Sequence, residues 1–340
     1  MCRARCRRHV LNYAHVFHAG NFADVFKHAL LTRILVYLNR KDAPYRVIDT
    51  HAGEGAYDFS REEVERTGEW RDGIGRLCSI PNRAYGKGLD PSPLREGVEE
   101  GGAQSREIAR PPTPALPHRG GGSLAVVAAN SLDSAAGALL APYLDLVGVC
   151  DAGGRPKIYP GSPVIAQKFA RKADRLVFCE KHPAAFAALK TRFARDRRVK
   201  TLDLDGWTAL GAFVPPPERR GLALVDPPYE ARDEFVRLAK SFAGAFAKWS
   251  TGVYALWYPV KDARDAEGLW KAVRASGAKS ALRLELAIAP MGDGLARTGL
   301  VVVNPPFVLQ DEARILLPAL VRLLERAPGA GAHLIESFGG

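Results

Sequence analysis

The chain lacks several features that would place it in common protein classes. None of its apolar runs approaches the roughly 20 residues that a membrane-spanning helix needs. Residues 1–9 (MCRARCRRH) are basic and have no apolar core, so they are not a secretory signal. The five cysteines are odd in number and scattered, which favours reduced thiols in a cytoplasm over a disulfide framework. Cys2, Cys6 and His9 have no second ligand pair at zinc spacing, so we expect no metal site.

Acidic residues are also in short supply. The 48 lysines and arginines outnumber 37 acids, which gives a net charge of +11 and a pI of about 9.5. This balance favours a polyanionic partner, although a basic surface that binds nothing is the simpler alternative. Residues 1–9 contribute four arginines, and 11 minus 4 leaves +7 for the remainder. They are either an RNA-binding arm or a non-native extension upstream of the true start.

Residues 81–122 are poor in anything that could form a core. They contain seven prolines and eight glycines, and Tyr85 is their only aromatic residue. This composition predicts a disordered surface segment. We place it within a helical insertion subdomain at residues 58–158. Residues 10–57 then form the first helix and strand of the main domain, and residues 159–340 form the rest.

Strand and helix signals alternate over the remainder of the chain. Short apolar runs that end in polar residues are separated by helical stretches, which predicts a parallel, doubly wound sheet. We expect seven strands. The strand candidates are residues 45–49, 176–180, 200–205, 222–226, 253–258, 281–288 and 300–304.

One of these runs ends in a group of residues suited to amine chemistry. A buried strand at residues 222–225 is followed by Asp226, Pro227, Pro228 and Tyr229. The prolines restrict the backbone, so the Asp226 carboxylate and the Pro227 carbonyl become fixed acceptors. Both could bond the exocyclic amine of a planar base that stacks on Tyr229. The pattern resembles the Asp-Pro-Pro-Tyr motif of amino-methyltransferases, although a plain turn beside a surface tyrosine would look the same.

A second Pro-Pro turn competes for this role. Residues 304–307 read Asn-Pro-Pro-Phe, which fits a relaxed form of the same motif. They follow the seventh strand, and the resemblance to a methyltransferase sheet of seven strands implies that this last strand is antiparallel. Its carboxyl end would then lie on the edge of the sheet opposite the cofactor. The strand order therefore favours Asp226 as the catalytic residue.

Acidic residues at the ends of other strands predict a cofactor site. Asp49, Glu180, Asp205 and Asp226 would all face one crevice at the carboxyl ends of the strands. Glu180 suits a ribose diol, and Asp205, followed by Gly206, suits an adenine amine. Acids also offset the positive charge of a sulfonium, and the chain has no phosphate-binding Gly-x-x-x-x-Gly-Lys loop. S-adenosylmethionine is therefore the expected cofactor.

The motifs together resemble those of the RlmJ family, the bacterial 23S ribosomal RNA adenine-N6 methyltransferases. Residues 13–28 are dense in His, Gly and Lys, and a helix is expected to start there at Gly20 or Asn21. The matching stretches include residues 17–28 (FHAGNFADVFKH), 48–55 (IDTHAGEG), 65–73 (ERTGEWRDG), 159–166 (YPGSPVIA), 205–206, 220–230 (RGLALVDPPYE), 252–260 (GVYALWYPV) and 299–307.

This resemblance implies a class I, Rossmann-like methyltransferase fold and a set of site residues. Catalysis would rest on Asp226 with Pro227 and Tyr229, and Tyr13 would contact the RNA. The implied cofactor contacts are Lys27, His28, His51, Ser162, Glu180, Asp205, Gly206 and Asp226.

The expected activity is methylation of an adenine N6 in 23S rRNA by a cytoplasmic monomer. Two alternatives remain open at this stage, a DNA adenine-N6 methyltransferase and a catalytically silent rRNA-binding assembly factor. The basic start and the Pro/Gly-rich segment depart from the family pattern.

Overall fold

The computed structural model describes residues 15–79, 133–292 and 294–339. Tyr13, the basic extension at residues 1–9 and the Pro/Gly-rich segment at residues 81–122 therefore lie outside the described residues. No helix in the described ranges is long and apolar enough to cross a membrane.

In the part of the chain that the structure describes, ten strands form one large sheet and one small one. The large sheet has eight strands in the order β10-β8-β9-β7-β6-β1-β4-β5, and β2 pairs with β3 separately. The strands are β1 (Arg46–Asp49), β2 (Ala56–Asp58), β3 (Ile158–Pro160), β4 (Arg175–Glu180), β5 (Val199–Asp203), β6 (Gly221–Val225), β7 (Val253–Pro259), β8 (Ala281–Ala287), β9 (Arg297–Val303) and β10 (Ala332–Phe338).

The directions of the strands confirm the predicted fold class. Strands β5, β4, β1, β6 and β7 are mutually parallel, and β9 runs antiparallel between β7 and β8. The count of seven strands was wrong, because β10 adds an eighth at the edge beside β8. Its side chains are mostly exposed, so β10 has neither the apolar run nor the clear alternation that reveals a strand in sequence.

Helices cover both faces of the sheet, as a doubly wound fold requires. Apolar residues of α1, α4, α5, α6 and α10 form one core, and those of α7, α8 and α9 form the other. The helices are α1 (Phe22–Leu38), α2 (Glu62–Thr67), α3 (Ile74–Cys78), α4 (Ser134–Val147), α5 (Ser162–Phe169), α6 (Pro183–Phe193), α7 (Gly206–Ala212), α8 (Glu234–Lys248), α9 (Ala263–Ala275) and α10 (Leu309–Leu324), with 3-10 turns at His15–Phe17 and Glu69–Asp72.

Helix α1 is buried on nearly all sides. It begins after Asn21, whose side chain accepts a hydrogen bond from the Asp24 amide, as predicted for this helix start. It contacts α4, α5, α10 and β9, so it has no solvated face. Lys27 and His28 are therefore carried into the interior, with exposed fractions of 4% and 1%. Charged groups so deep need partners, and these partners form the site described below.

The start of α5 and the end of β5 position two of the predicted site residues. The N-cap of α5 is Gly161, and the Ser162 hydroxyl donates to the buried Asp49 carboxylate at 2.7 Å. The helix ends at Phe169, because Ala170 adopts an extended conformation. Strand β5 ends at Asp203, and Asp205 caps α7 instead of completing the strand.

The cysteine prediction was also wrong for one pair. Cys78 and Cys150 form a disulfide across 72 positions of sequence. They lie on either side of the segment outside the described residues, and the fold brings the two flanks together, since Gly154 packs against the Gly75 backbone. This proximity is tertiary and leaves no spacing signal in the sequence. Cys179 is a buried free thiol.

Candidate active site

A cleft lies at the carboxyl ends of the parallel strands, between β1 and its neighbours β4 and β6. Chain order reverses at β1, and such switch points are where open α/β sheets bind ligands. The structure brings all eight predicted cofactor contacts to this cleft. Its lining includes Lys27, His28, His51, Ser162, Glu180, Asp205, Gly206 and Asp226.

A buried cluster of charges stands at one end of the cleft. The Lys27 ammonium lies 2.5 Å from the Asp226 carboxylate and 2.9 Å from that of Asp24. Burial disfavours the charged lysine, but the two carboxylates outweigh burial and raise the pKa of Lys27 above its usual value. Lys27 therefore remains a cation between two anions, and its Nζ also lies 5.5 Å from the centre of the Trp257 ring.

Asp24 connects this cluster to the segment that precedes α1. Its carboxylate accepts from the Gly20 amide at 2.9 Å and contacts His15 Nε2 at 3.0 Å. Burial opposes its ionisation, but His15 and Lys27 hold the pKa of Asp24 well below the ordinary value. One side chain with an exposed fraction of 2% thus holds both Lys27 and His15 in place.

Two histidines of the cleft are neutral. Burial lowers the pKa of His28 to about 3 and that of His51 to about 4. His28 Nδ1 lies 2.8 Å from the Tyr159 hydroxyl, and His51 Nδ1 lies 2.8 Å from the Thr50 hydroxyl. Neutral imidazoles offer hydrogen bonds without positive charge, which suits a cleft intended for a cationic ligand.

Backbone amides orient Glu180, the last residue of β4. Glu180 accepts hydrogen bonds from the Gly53 amide at 2.8 Å and from the His182 amide at 2.7 Å. The side chain is therefore fixed at the cleft wall, beside the Gly-rich turn after β1.

The start of α7 forms another wall. Asp205 accepts from the Thr208 amide at 3.0 Å through Oδ2, which caps the helix. A Cβ atom at position 206 would lie 2.5 Å from both the His51 ring and the Thr50 carbonyl oxygen. Only glycine fits there, so the backbone at Gly206 approaches the cleft closely.

Asp49 does not face the crevice, contrary to the sequence analysis. Its carboxylate is 1% exposed, accepts from Ser162 at 2.7 Å and lies under the cleft floor. Burial raises the pKa of Asp49 to about 7. Of the four predicted acids, Glu180, Asp205 and Asp226 line the cleft.

The turn after β6 separates the cleft from a second cavity of about 820 Å³, here called the acceptor cavity. Asp226, Pro228 and Lys27 line both spaces, whereas Pro227 is buried. Tyr229 lines the acceptor cavity with a positive φ of 53°, a strained conformation for a large side chain.

Two contacts hold Tyr229 in that conformation. Its hydroxyl donates to the Trp257 carbonyl at 2.8 Å, and its ring centre lies 4.9 Å from that of Phe235. The ring is therefore fixed in the cavity wall.

The second Pro-Pro turn lies at the opposite end of the strands, where the parallel strand β7 begins. The Asn304 amide donates to the backbone carbonyls of Ser250 and Gly252, each at 2.8 Å, at the entry to β7. It lines neither of the two spaces that meet at Asp226. The turn follows β9, which runs antiparallel as predicted for the strand before this turn. This direction accounts for the position of the turn.

Several further cleft residues were not among the predicted contacts. His15, Trp207, Glu234 and Arg237 also line the cleft, and burial raises the pKa of Glu234 to about 7. Trp207 and Glu234 belong to the first turns of α7 and α8, which follow the acid-bearing strand ends. A position on the first turn of the helix that follows such a strand is the sequence signal that could have identified them.

In the described ranges, no cluster of His, Cys, Asp and Glu side chains is arranged to hold a metal ion.

Comparison with known proteins gives a consistent result. A family model described as "Ribosomal RNA large subunit methyltransferase D, RlmJ" matches residues 42–83 and 124–335. Proteins named ribosomal RNA large subunit methyltransferase J are similar to the chain. The Haemophilus influenzae protein is 33% identical over 330 residues, 96% of this chain and 98% of that protein. The Escherichia coli protein is 33% identical over 331 residues, 97% of this chain and 99% of that protein.

A solved structure shares the same overall fold. The crystal structure of protein LPL1258 from Legionella pneumophila superposes with a TM-score of 0.73 at 30% identity. The match covers 94% of this chain and 98% of that one.

Proposed function

Because the chain belongs to the RlmJ family of ribosomal RNA large subunit methyltransferases, we propose that it methylates the N6 amine of an adenine in 23S rRNA. S-adenosylmethionine is the proposed methyl donor. The observation that carries this proposal is that two cavities, one for each substrate, meet at the Lys27–Asp226 pair.

The residues of the cleft fit S-adenosylmethionine. The Glu180 carboxylate suits the ribose hydroxyls, and Asp205 with the close backbone at Gly206 suits the adenine. The neutral His28 and His51 add no charge that would repel a sulfonium. When bound, the cofactor supplies an electrophilic methyl group on that sulfonium.

The acceptor cavity suits an adenine base. Asp226 and the Pro227 carbonyl would accept the two hydrogens of the N6 amine, which frees the nitrogen lone pair for attack on the methyl group. Tyr229 would stack on the ring. Lys27 contacts Asp226 at 2.5 Å and would hold its carboxylate in place, and that carboxylate takes the proton that the nitrogen loses after methyl transfer.

This arrangement requires an unpaired adenine. Asp226 lies at the junction of two cavities, with its side chain only 14% exposed. A base stacked within a duplex cannot reach such a group, so the target must be single-stranded or extruded.

Transfer of tritium from labelled S-adenosylmethionine to nucleic acid tests the proposal. We expect label in in vitro-transcribed 23S rRNA, recovered as N6-methyladenosine after digestion, and none in DNA. Label in DNA alone would identify a DNA methyltransferase instead. Binding of rRNA without any transfer would identify a silent binding protein.

A further inference from the structure

Two further cavities lie near the acceptor cavity. A smaller cavity adjoins it and shares four wall residues, among them Glu69 and Leu295. This smaller cavity reaches Asp72 and Arg326. Asp72 is also 2.9 Å from Arg76, which lines a third cavity of about 410 Å³. The three spaces follow one another along the 3-10 turn Glu69–Asp72 and helix α3.

Positive charge increases along this path. Lys261 lines the acceptor cavity, Arg326 the middle one, and three arginines the last one. Outside the Lys27 cluster, two carboxylates, Glu69 and Asp72, line the same walls. Five cations against two carboxylates leave a net charge of +3. Glu69 is moreover engaged by His18, at 3.0 Å. The three arginines of the last cavity are Arg71, Arg76 and Arg322.

Two of the arginines, Arg322 and Arg326, are held loosely. Arg322 lies 3.8 Å from Asp133, and Arg326 lies 3.9 Å from Asp72. Their side chains are 54% and 45% exposed. Ion pairs this long and this exposed contribute little to stability, so a phosphate can replace the carboxylate at low cost. The planar guanidinium bonds phosphate oxygens in pairs, which strengthens that exchange.

We propose that these three cavities form a groove, from the acceptor cavity to Arg71, Arg76, Arg322 and Arg326, that binds the sugar–phosphate backbone of the RNA strand that flanks the target nucleotide. The inference rests on the proposed function, because it assigns the substrate path to that same site. Phosphate contacts of this kind fix the register of a strand without reading its sequence. They would hold the extruded adenine at Asp226 while the neighbouring nucleotides lie along α3.

Charge reversal at the far end tests the groove. The variant Arg322→Glu/Arg326→Glu removes two cations that lie beyond the cofactor cleft. The matched control is Arg314→Glu, which makes the same change on α10 at a side chain that is 60% exposed and lines none of the three cavities. The probe is in vitro-transcribed 23S rRNA, with binding measured by filter retention over a range of salt concentrations.

We expect the double variant to bind rRNA about tenfold more weakly, with a salt slope flatter by about 1.4, which is about 0.7 per lost phosphate contact. Turnover at saturating rRNA and the dissociation constant of S-adenosylhomocysteine should match those of the wild type. The control should bind rRNA with the wild-type slope.

If the double variant binds rRNA with the same affinity and salt slope as the control, the proposal that the groove binds RNA is refuted. If the double variant melts at a lower temperature, Arg322→Gln/Arg326→Gln provides the same test without repulsion of Asp133 or Asp72, and the same flattening is expected. Failure of the groove is separable from failure of the proposed function. A wild-type chain that methylates no rRNA refutes the function, whereas an active wild type with unaffected variants refutes only the groove.

Discussion

Two Pro-Pro turns of nearly the same sequence have different surroundings in this molecule. The turn at residues 226–229 follows the parallel strand β6, and its acid contacts the buried Lys27 at the junction of two cavities. The turn at residues 304–307 follows the antiparallel strand β9, and its Asn304 side chain bonds only backbone carbonyls. Its aromatic residue, Phe307, is 75% exposed and touches Tyr37 edge-on.

The direction of the preceding strand decides whether such a turn lies at the cleft. Both turns contain a non-glycine residue with positive φ, at Tyr229 and at Asn304. Local backbone strain is therefore common to both and does not distinguish them. Only the parallel strand delivers its last residue to the edge where β1 and β4 also end.

The largest expected effect is at Asp226. We expect Asp226→Asn or Asp226→Ala to lower turnover by roughly 10²–10³, because a positioned acceptor at the transition state is lost. Incorporation of tritium into rRNA measures turnover, and circular dichroism checks the fold. Asn304→Ala is the control and should leave turnover intact. Near-normal turnover in Asp226→Ala, or loss of turnover in Asn304→Ala, would show that the chemistry has been assigned to the wrong turn.

The next effect is expected at Asp24, which acts on the reaction through Lys27. Asp24→Asn removes one of two carboxylates around the ammonium, and we expect turnover to fall about 10- to 100-fold. Removing this anion also lowers the pKa of Lys27, so the variant should lose activity at a lower alkaline pH than the wild type. The charged or titratable groups facing Lys27 are Asp24, Asp226, Asp49, His15 and His28.

Glu312→Gln provides the matched control for Asp24. It breaks the buried Arg33–Glu312 ion pair of 2.7 Å, which involves the same helix α1 but lies outside both cavities. Its turnover and pH profile should remain those of the wild type even if its melting temperature falls. An unchanged pH profile in Asp24→Asn would mean that Asp24 has only a structural role.

A smaller effect, confined to cofactor binding, is expected at Glu180. Glu180→Ala removes the proposed ribose acceptor, and we expect S-adenosylhomocysteine to bind about 10-fold more weakly, with rRNA affinity unchanged. Titration calorimetry measures the first and filter binding the second. Asp203→Ala, at an exposed acid on the neighbouring strand β5, serves as the control. Equal cofactor affinity in the two variants would place the ribose partner elsewhere.

The smallest effect sharpens the comparison of the two aromatic residues. Tyr229→Phe keeps the ring but removes its hydrogen bond to the Trp257 carbonyl, so we expect turnover to fall about 2- to 5-fold. Phe307→Ala should leave turnover unchanged, because its ring faces solvent on the far edge. A larger loss in Phe307→Ala than in Tyr229→Phe would contradict the assignment of the two turns.

Much of the fold could be predicted because buried strands leave a strong signal. The run that forms β6 is entirely buried, and the predicted start of α1 at Asn21 is confirmed by its cap. Strand ends then indicated which polar residues meet, and Glu180, Asp205 and Asp226 do line one cleft.

The remaining features depend on tertiary packing, which one sequence does not display. Strand β10 is exposed and pairs at the edge, so no apolar pattern marks it. Asp49 was predicted to line the cleft with the other acids, but it is buried and bonded to Ser162, a contact that depends on tertiary packing. The pairing of Cys78 with Cys150 depends on how two distant flanks meet.

Because Lys27 is buried, the stability of the fold depends on a residue of the proposed active site. In many enzymes, removing a charged active-site residue makes the fold more robust, because the site stores strain or repulsion. Here Lys27 belongs to the buried helix α1, and its ammonium is the cation between the Asp24 and Asp226 carboxylates. Its loss would leave two anions facing each other away from water, a costly arrangement. Selection for a stable chain would therefore also retain Lys27 beside the proposed reaction centre.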